Sequence, residues 1–537
     1  MPKLLRHIIF ILAFQPVVWA QTQDVWVYFK DKPNASVFLE NPTEILSQRA
    51  LDRRIRYNIA VDETDVPIDN NYYNQIVQIE GVEIIAKSKW LNGLHVRLTS
   101  DALDEILVLE NIDHVEYLAQ NKQAAPTQKN VNLSNKLDVV TYDNYGSNSN
   151  QIDILNGRIL HDNGFSGQGM QIAVIDGGFI NVNTMGAFQR LRDNNQILGT
   201  YNFVENTTEV YSRHYHGTMV LSTMAGYIEN EYIGMAPDAS YYLFISEDTS
   251  QEHPYEESLW IEAAEKADSL GVDVITTSLG YTEFDDPSFN HTYEDLDGHT
   301  TIISRGSKIA TQKGMLLINS AGNWGDNPWH YIGAPADVEN VLSIGAVNAD
   351  GVIANFSSWG PTADGRLKPD VCAQGSGVSV INTSNDIVYS SGTSFSGPIM
   401  AGMATCLWQA YPNQTPEEIR QAIKESAHLY QNPDNHYGYG IPNFEMANGL
   451  LDISDITFEQ TNIFPNPVDK HSILNIVIPG LSSTTELHLF DIQGKLVKYC
   501  EINNPTYYLE TKAMSSGLYI LQLTNATQNK TFKLLIK

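Results

Sequence analysis

Gly392-Thr393-Ser394-Phe395-Ser396-Gly397-Pro398 runs directly into an apolar stretch, residues 399–404. Small residues crowd one hydroxyl, so the segment reads as a tight turn feeding a buried helix, with Ser394 at the helix start. A helix start carries unpaired N–H groups and a partial positive charge. Such an end can hold an oxyanion, and glycines let a substrate backbone come close. Alone, the stretch also describes a plain turn before a core helix. The two readings separate on whether the chain supplies a base, an acid to orient it and a second oxyanion donor.

Around this stretch strands and helices alternate, which predicts an α/β fold: a mostly parallel sheet with helices on both faces. Residues 171–175 form a continuous apolar run, as buried parallel strands do, and end at Asp176-Gly177-Gly178. Further strands are expected at 272–279, 315–319 and 341–347. A helix over 256–270 carries an apolar stripe and stops at Gly271. Thr415-Pro416-Glu417-Glu418 is a capping box with proline at the first helical position. Sites in open parallel sheets form beyond the carboxyl ends of the strands. Asp176 stands at such an end. His216 heads His216-Gly217-Thr218, which opens a helix ending near Gly226. Asn323 closes Ser320-Ala321-Gly322-Asn323. Singly, each is an ordinary turn former or structural residue. Together they fill the missing roles. A serine hydroxyl needs a base near neutral pKa, His216. The imidazole needs a buried carboxylate, Asp176. The oxyanion takes the Asn323 amide and the Ser394 N–H.

These motifs resemble those of the subtilisin-like serine peptidases, the subtilase family. The order Asp176, His216, Ser394 is the family's order, and the order of α/β-hydrolase esterases is different. Gly234-Met235-Ala236-Pro237, Ser278-Leu279-Gly280, Ala321-Gly322-Asn323, Phe356-Ser357-Ser358-Trp359-Gly360-Pro361 and Lys368-Pro369-Asp370-Val371 are similar as well. The resemblance implies a secreted serine endopeptidase that hydrolyses proteins through an acyl-enzyme. It implies that Ser278, Leu279 and Gly280 pair with extended substrate. Ala321 and Gly322 would line the pocket for the residue before the scissile bond, leaving room for a large apolar side chain. Two departures stand out: Gly177 where Thr or Ser is usual, and Phe395 after the serine. An inactive scaffold of the same fold and an esterase are the other function classes open to these residues.

The flanks differ from this region. Residues 1–20 have a charged start, a short apolar core and a small residue at Ala20, a secretory signal. Residues 21–125 read as a small α+β unit resembling the family's inhibitory propeptides, with a basic helix over 45–56 and a helix from Ala102 capped by Ser100 or Asp101. A polar linker covers 126–150, the peptidase domain 151–455, and a β-sandwich 456–537. The last unit resembles the sorting domains of type IX secretion cargo in Bacteroidetes-type bacteria, through Phe464-Pro465-Asn466-Pro467, Asp491-Ile492-Gln493-Gly494-Lys495 and a lysine-ended tail. The expected partners are therefore protein or peptide substrates, the chain's own propeptide and the secretion machinery, with the product secreted or held at the cell surface. With 63 acidic and 33 basic side chains the net charge is −30, which disfavours nucleic acid. No other segment is long and apolar enough for a membrane span. Cys372, Cys406 and Cys500 are an odd, sparse set. They form no disulfide framework; Cys372 and Cys406 share a predicted domain and could pair there, but two buried free thiols are expected. No Cys/His spacing suggests zinc, and no cofactor or metal is assigned. The acidic stretch 283–299 has oxygen ligands that calcium could use, but is read as a solvated loop.

Overall fold

The computed structural model describes residues 22–119, 145–454, 461–478, 481, 485–512, 514–525 and 529–537. The expected signal at 1–20 and most of the expected linker lie outside them.

Seven parallel strands form the central sheet. Their order across it is Val371–Gln374, Leu342–Val347, Leu316–Ser320, Val274–Thr277, Gln171–Asp176, Ser240–Ile245, Ile197–Asn202. Chain order departs in both directions from Gln171–Asp176, which places a topological switch beside Asp176. The apolar runs follow from burial on both faces. Ile172 and Val174 join one core cluster, and Ala173 and Ile175 the other, as period-two alternation requires. The first cluster holds helices His216–Ala225 and Thr393–Ala410. The second holds Tyr255–Leu270 and Ile302–Gln312. Gly271 ends the Tyr255–Leu270 helix in the left-handed region, φ 86°. Thr415 and Glu418 form the expected capping box.

Residues 145–150, expected to close the linker, are packed. Tyr145 stacks on His161 and is buried. Gly146 bridges to Tyr232.

The N-terminal unit is a four-stranded antiparallel sheet, ordered Val82–Ser88, Gly93–Thr99, Thr22–Phe29, Ile112–Tyr117. One face packs on its own helices through Val25, Val27, Val96 and Ile106. The helix Ser100–Leu107 is capped by Thr99, one residue before the expected positions, because the strand's last residue already has extended backbone. The opposite face carries Trp26, Tyr28, Ala86 and Trp90 into the second core cluster of the central unit. The two units share that core. Polar contacts frame it. Glu265 accepts from Ser88 Oγ at 2.5 Å and from the Trp90 N–H at 3.0 Å. Arg305 binds Glu116 at 2.7 Å. The basic helix, Gln48–Arg56, supplies a buried network. Arg54 contacts Asp65 at 2.8 Å and Asp268 at 2.9 Å. Lys313 joins Asp65 at 2.9 Å, and Arg53 pairs with Asp268.

The C-terminal unit is all β. A three-stranded sheet (Asn462–Phe464, Ile473–Val477, Thr506–Glu510) faces a four-stranded one (Leu496–Ile502, Thr485–Asp491, Gly517–Thr524, Asn529–Ile536) over one core that includes Leu474, Leu487, Leu521 and Leu534.

Removing one member of a buried ion network leaves its partners uncompensated, at about 3–5 kcal/mol. Arg54→Ala is therefore expected to destabilise the full-length chain by about that amount. Arg56→Ala, at an exposed residue on the same helix that donates to the Pro412 carbonyl and lies over the Tyr57 ring, is expected to have little effect. Parallel denaturation of the two variants checks this; equal stabilities would contradict it.

Candidate active site

Loops at the carboxyl ends of four central strands converge on one cleft of about 780 Å³. Asp176 ends its strand and is 1 % exposed. Both its carboxylate oxygens lie 2.9 Å from His216 Nδ1, and one also accepts from the Gly177 N–H at 2.7 Å. An ionised carboxylate is only an acceptor, so Nδ1 carries the proton. Nε2 is left with its lone pair, on a ring one quarter exposed. Burial works against the His216 cation, but Asp176 outweighs it and lifts the pKa above the ordinary 6.5.

Glycine permits this approach. A Cβ on Gly217 would stand 2.4 Å from the Gly178 carbonyl and 3.1 Å from Asp176 Cβ. The helix His216–Ala225 could not come so near with any side chain there. Gly177 is equally confined: a Cβ would sit 2.9 Å from Thr249, so the departure at 177 goes with a neighbour that fills the space. Phe395 is buried in the first core, its ring centroid 6.3 Å from that of His216, and is a packing residue beneath the imidazole.

Ser394 is the second residue of the helix Thr393–Ala410. Pro398 sits four residues later and has no N–H to give the Ser394 carbonyl. That carbonyl instead accepts from Ser278 Oγ at 2.9 Å. The Ser394 hydroxyl turns to the Ser278 carbonyl at 3.5 Å. The helix start is thus tied to the segment following strand Val274–Thr277. Asn323 Oδ1 accepts from the Thr393 N–H at 2.8 Å and from its hydroxyl at 3.0 Å. With the oxygen engaged by two donors, the carboxamide orientation is fixed and Nδ2 is presented beside Gly392.

Asp176, His216, Asn323, Ser394, Ser278, Leu279, Gly280 and Gly322 all line the cleft. Ala321 does not: it is fully buried in a small cluster with Ile332 and Ala336, because the strand geometry at 320–322 turns its side chain behind the wall. Sequence reading missed His214, Glu247, Asp248, Glu252, Trp324 and Trp329, which also line the cleft. The signal for Glu247 was its place two residues beyond the strand Ser240–Ile245, in the same position relative to the sheet as the other site loops. Its carboxylate accepts from Tyr281 Oη at 2.5 Å and Ser246 Oγ at 2.8 Å, and burial raises its pKa to about 7. Its charge adds to the upward pull on His216.

Among the described residues, no group of three or more His, Cys, Asp or Glu side chains is placed to hold a metal ion. Three acidic side chains of 283–299 cap turns: Asp286 accepts from the Ser288 N–H, Asp295 from the Thr292 N–H, and Asp297 from those of His299 and Thr300. The three cysteines are free thiols, Cys372 and Cys406 buried.

Residues 167–440 match the subtilase family model, Peptidase_S8. The chain belongs to the subtilase family. Residues 24–134 of this subtilase match the peptidase S8 propeptide domain of Bacteroidota, and 462–537 match a secretion system C-terminal sorting domain. The sorting domain indicates a secreted protein, and no described helix is long and apolar enough to cross a membrane. Among curated relatives, a thermostable alkaline protease of Halalkalibacterium halodurans is 25 % identical over 76 % of this chain and 94 % of its own length. Subtilisin E of Bacillus subtilis is 29 % identical over 54 % of this chain and 68 % of its own. Serine protease AprX of Bacillus subtilis is 27 % identical over 52 % and 66 %. The crystal structure of an epidermin leader peptide processing serine protease from Staphylococcus aureus shares the fold, with a TM-score of 0.53 at 14 % identity over 80 % of this chain and 99 % of that one. This subtilase is a serine endopeptidase.

A base works only when unprotonated, so if His216 is the base, activity should rise as it loses its proton. The acid limb of kcat/KM is expected to have its midpoint above 6.5, the ordinary imidazole value. Glu247→Gln removes a carboxylate whose charge, where it is ionised, favours the cation, and any shift of the limb should be to lower pH. A wild-type midpoint below 6.5, or a limb moved to higher pH in the variant, would contradict His216 as the base.

Proposed function

We propose that the chain is made as a secreted zymogen and cleaves proteins through Ser394, His216 and Asp176. The observation that carries this reading is the acceptor-only Asp176 carboxylate on His216 Nδ1, in the cleft that also holds Ser394 and Asn323. On substrate binding the Ser394 side chain turns from Ser278 towards His216 Nε2; catalytic hydrogen bonds commonly tighten only in the complex. His216 takes the hydroxyl proton as Ser394 Oγ attacks the peptide carbonyl. Asp176 orients the ring and stabilises its cationic form. Asn323 Nδ2 and the Ser394 N–H donate to the developing oxyanion. His216 then returns the proton to the leaving amine, and water, activated by the same base, releases the acyl group.

Ser278, Leu279 and Gly280 take the extended substrate by main-chain pairing. The N-terminal unit, whose core is continuous with that of the central unit, acts as the chain's own inhibitor until it is cut away. The C-terminal unit engages the secretion machinery, and the mature enzyme is free or attached at the cell surface.

In the purified mature protein, Ser394→Ala is expected to lower peptide kcat/KM by at least about a thousandfold with the fold intact by circular dichroism. Turnover at the wild-type rate would show that the serine is not the nucleophile.

A further inference from the structure

The three glycines around the cleft beside Ser394 leave a slot, and the slot is occupied by a side chain of this same protein. Gly280 follows the strand Val274–Thr277, and Gly322 follows the strand Leu316–Ser320. Gly333 precedes Ala334, which pairs with Tyr281 and so links the two walls. A Cβ built on Gly322 would stand 2.3 Å from the six-membered ring of Trp324, one on Gly333 2.9 Å, and one on Gly280 3.2 Å. The benzo edge of one indole therefore lies against all three backbones. The backbone N–H of Trp324 donates to Ser358 Oγ at 3.0 Å, which fixes the main chain that carries the ring. It directly follows Asn323, and both residues line the cleft that holds Ser394.

We propose that Trp324 fills the pocket for the residue preceding the scissile bond and restricts it to small side chains, glycine, alanine or serine. The proposal rests on Ser394 being the nucleophile. It reverses the expectation from sequence, in which small wall residues at 321 and 322 leave room for a large apolar group. The glycines do make room, but the indole takes it. A benzyl or isobutyl side chain entering between Gly280 and Gly322 would meet the ring that already packs on both glycines. Hydrophobic pockets discriminate by roughly 10–200-fold for a single methylene of misfit, so a whole phenyl group should be rejected at least that strongly.

The test uses the mature enzyme and two peptides identical except for alanine or phenylalanine before the scissile bond. Wild type is expected to favour the alanine peptide in kcat/KM by at least about tenfold. Trp324→Ala should raise the phenylalanine-to-alanine ratio by at least about tenfold. Trp324→Val, with a smaller change in volume, should raise it less. Because the readout is a ratio within one preparation, partial loss of folded protein does not affect it. A wild-type preference for phenylalanine, or a ratio unchanged in both variants, would overturn the role of Trp324 while leaving the Ser394 mechanism standing. Cleavage of both peptides unaffected by Ser394→Ala would overturn the mechanism instead.

Discussion

A carboxylate buried to 1 % exposure at the end of a central strand must be met by donors. Here they are the His216 ring and the Gly177 N–H. Much of the local architecture serves this pair. The helix His216–Ala225 comes close enough only because position 217 has no side chain. Phe395 supports the imidazole from the core side. Glu247 and Asp176 both add negative potential that holds the ring's proton affinity above its ordinary value. Removing Asp176 would leave Nδ1 without its acceptor and free the ring to adopt either tautomer.

A second tie acts on the helix that carries Ser394. A proline inside a helix usually wastes a carbonyl. Pro398 frees the carbonyl of Ser394, and Ser278 Oγ takes it up. The backbone of the hydroxyl-bearing residue is thereby anchored to the segment along which an extended chain would lie. Asn323 is locked through Thr393 of the same helix turn. The site is built from loop residues, but each loop is fixed by a strand end or a helix start, which is how an open parallel sheet can hold several side chains in one geometry.

The central strands, the Gly271 stop and the Thr415 cap were readable because they depend on local pattern: continuous apolar runs, a left-handed glycine, a serine-like cap three residues before glutamate. The convergence of Asp176, His216, Asn323 and Ser394 was readable because each stands in a motif that marks a strand end or helix start. What was not readable depends on partners distant in sequence. Arg53 and Arg54 read only as part of a basic helix, and the acid they share, Asp268, lies more than two hundred residues away. The acids of 283–299 looked like solvent-facing charge, and several cap turns a few residues away. Residues 145–150 looked like linker because polar composition conceals the buried Tyr145. Ala321 leaves its expected place in the pocket wall for a steric reason: its buried methyl packs with Ile332 and Ala336, while the unforeseen Trp324 packs against Gly322.

The N-terminal unit lends Trp26, Tyr28 and Trp90 to the core of the central unit, so removing it exposes aromatic surface over the helices Tyr255–Leu270 and Ile302–Gln312. The cleft is lined by loops at the carboxyl ends of the central strands. The central claim concerns those loops, and fluorophosphonate labelling of the mature protein, followed by peptide mass spectrometry, tests it most directly. The account predicts one adduct, on Ser394, lost in His216→Ala. An adduct on another serine such as Ser396, or equal labelling without His216, would contradict it.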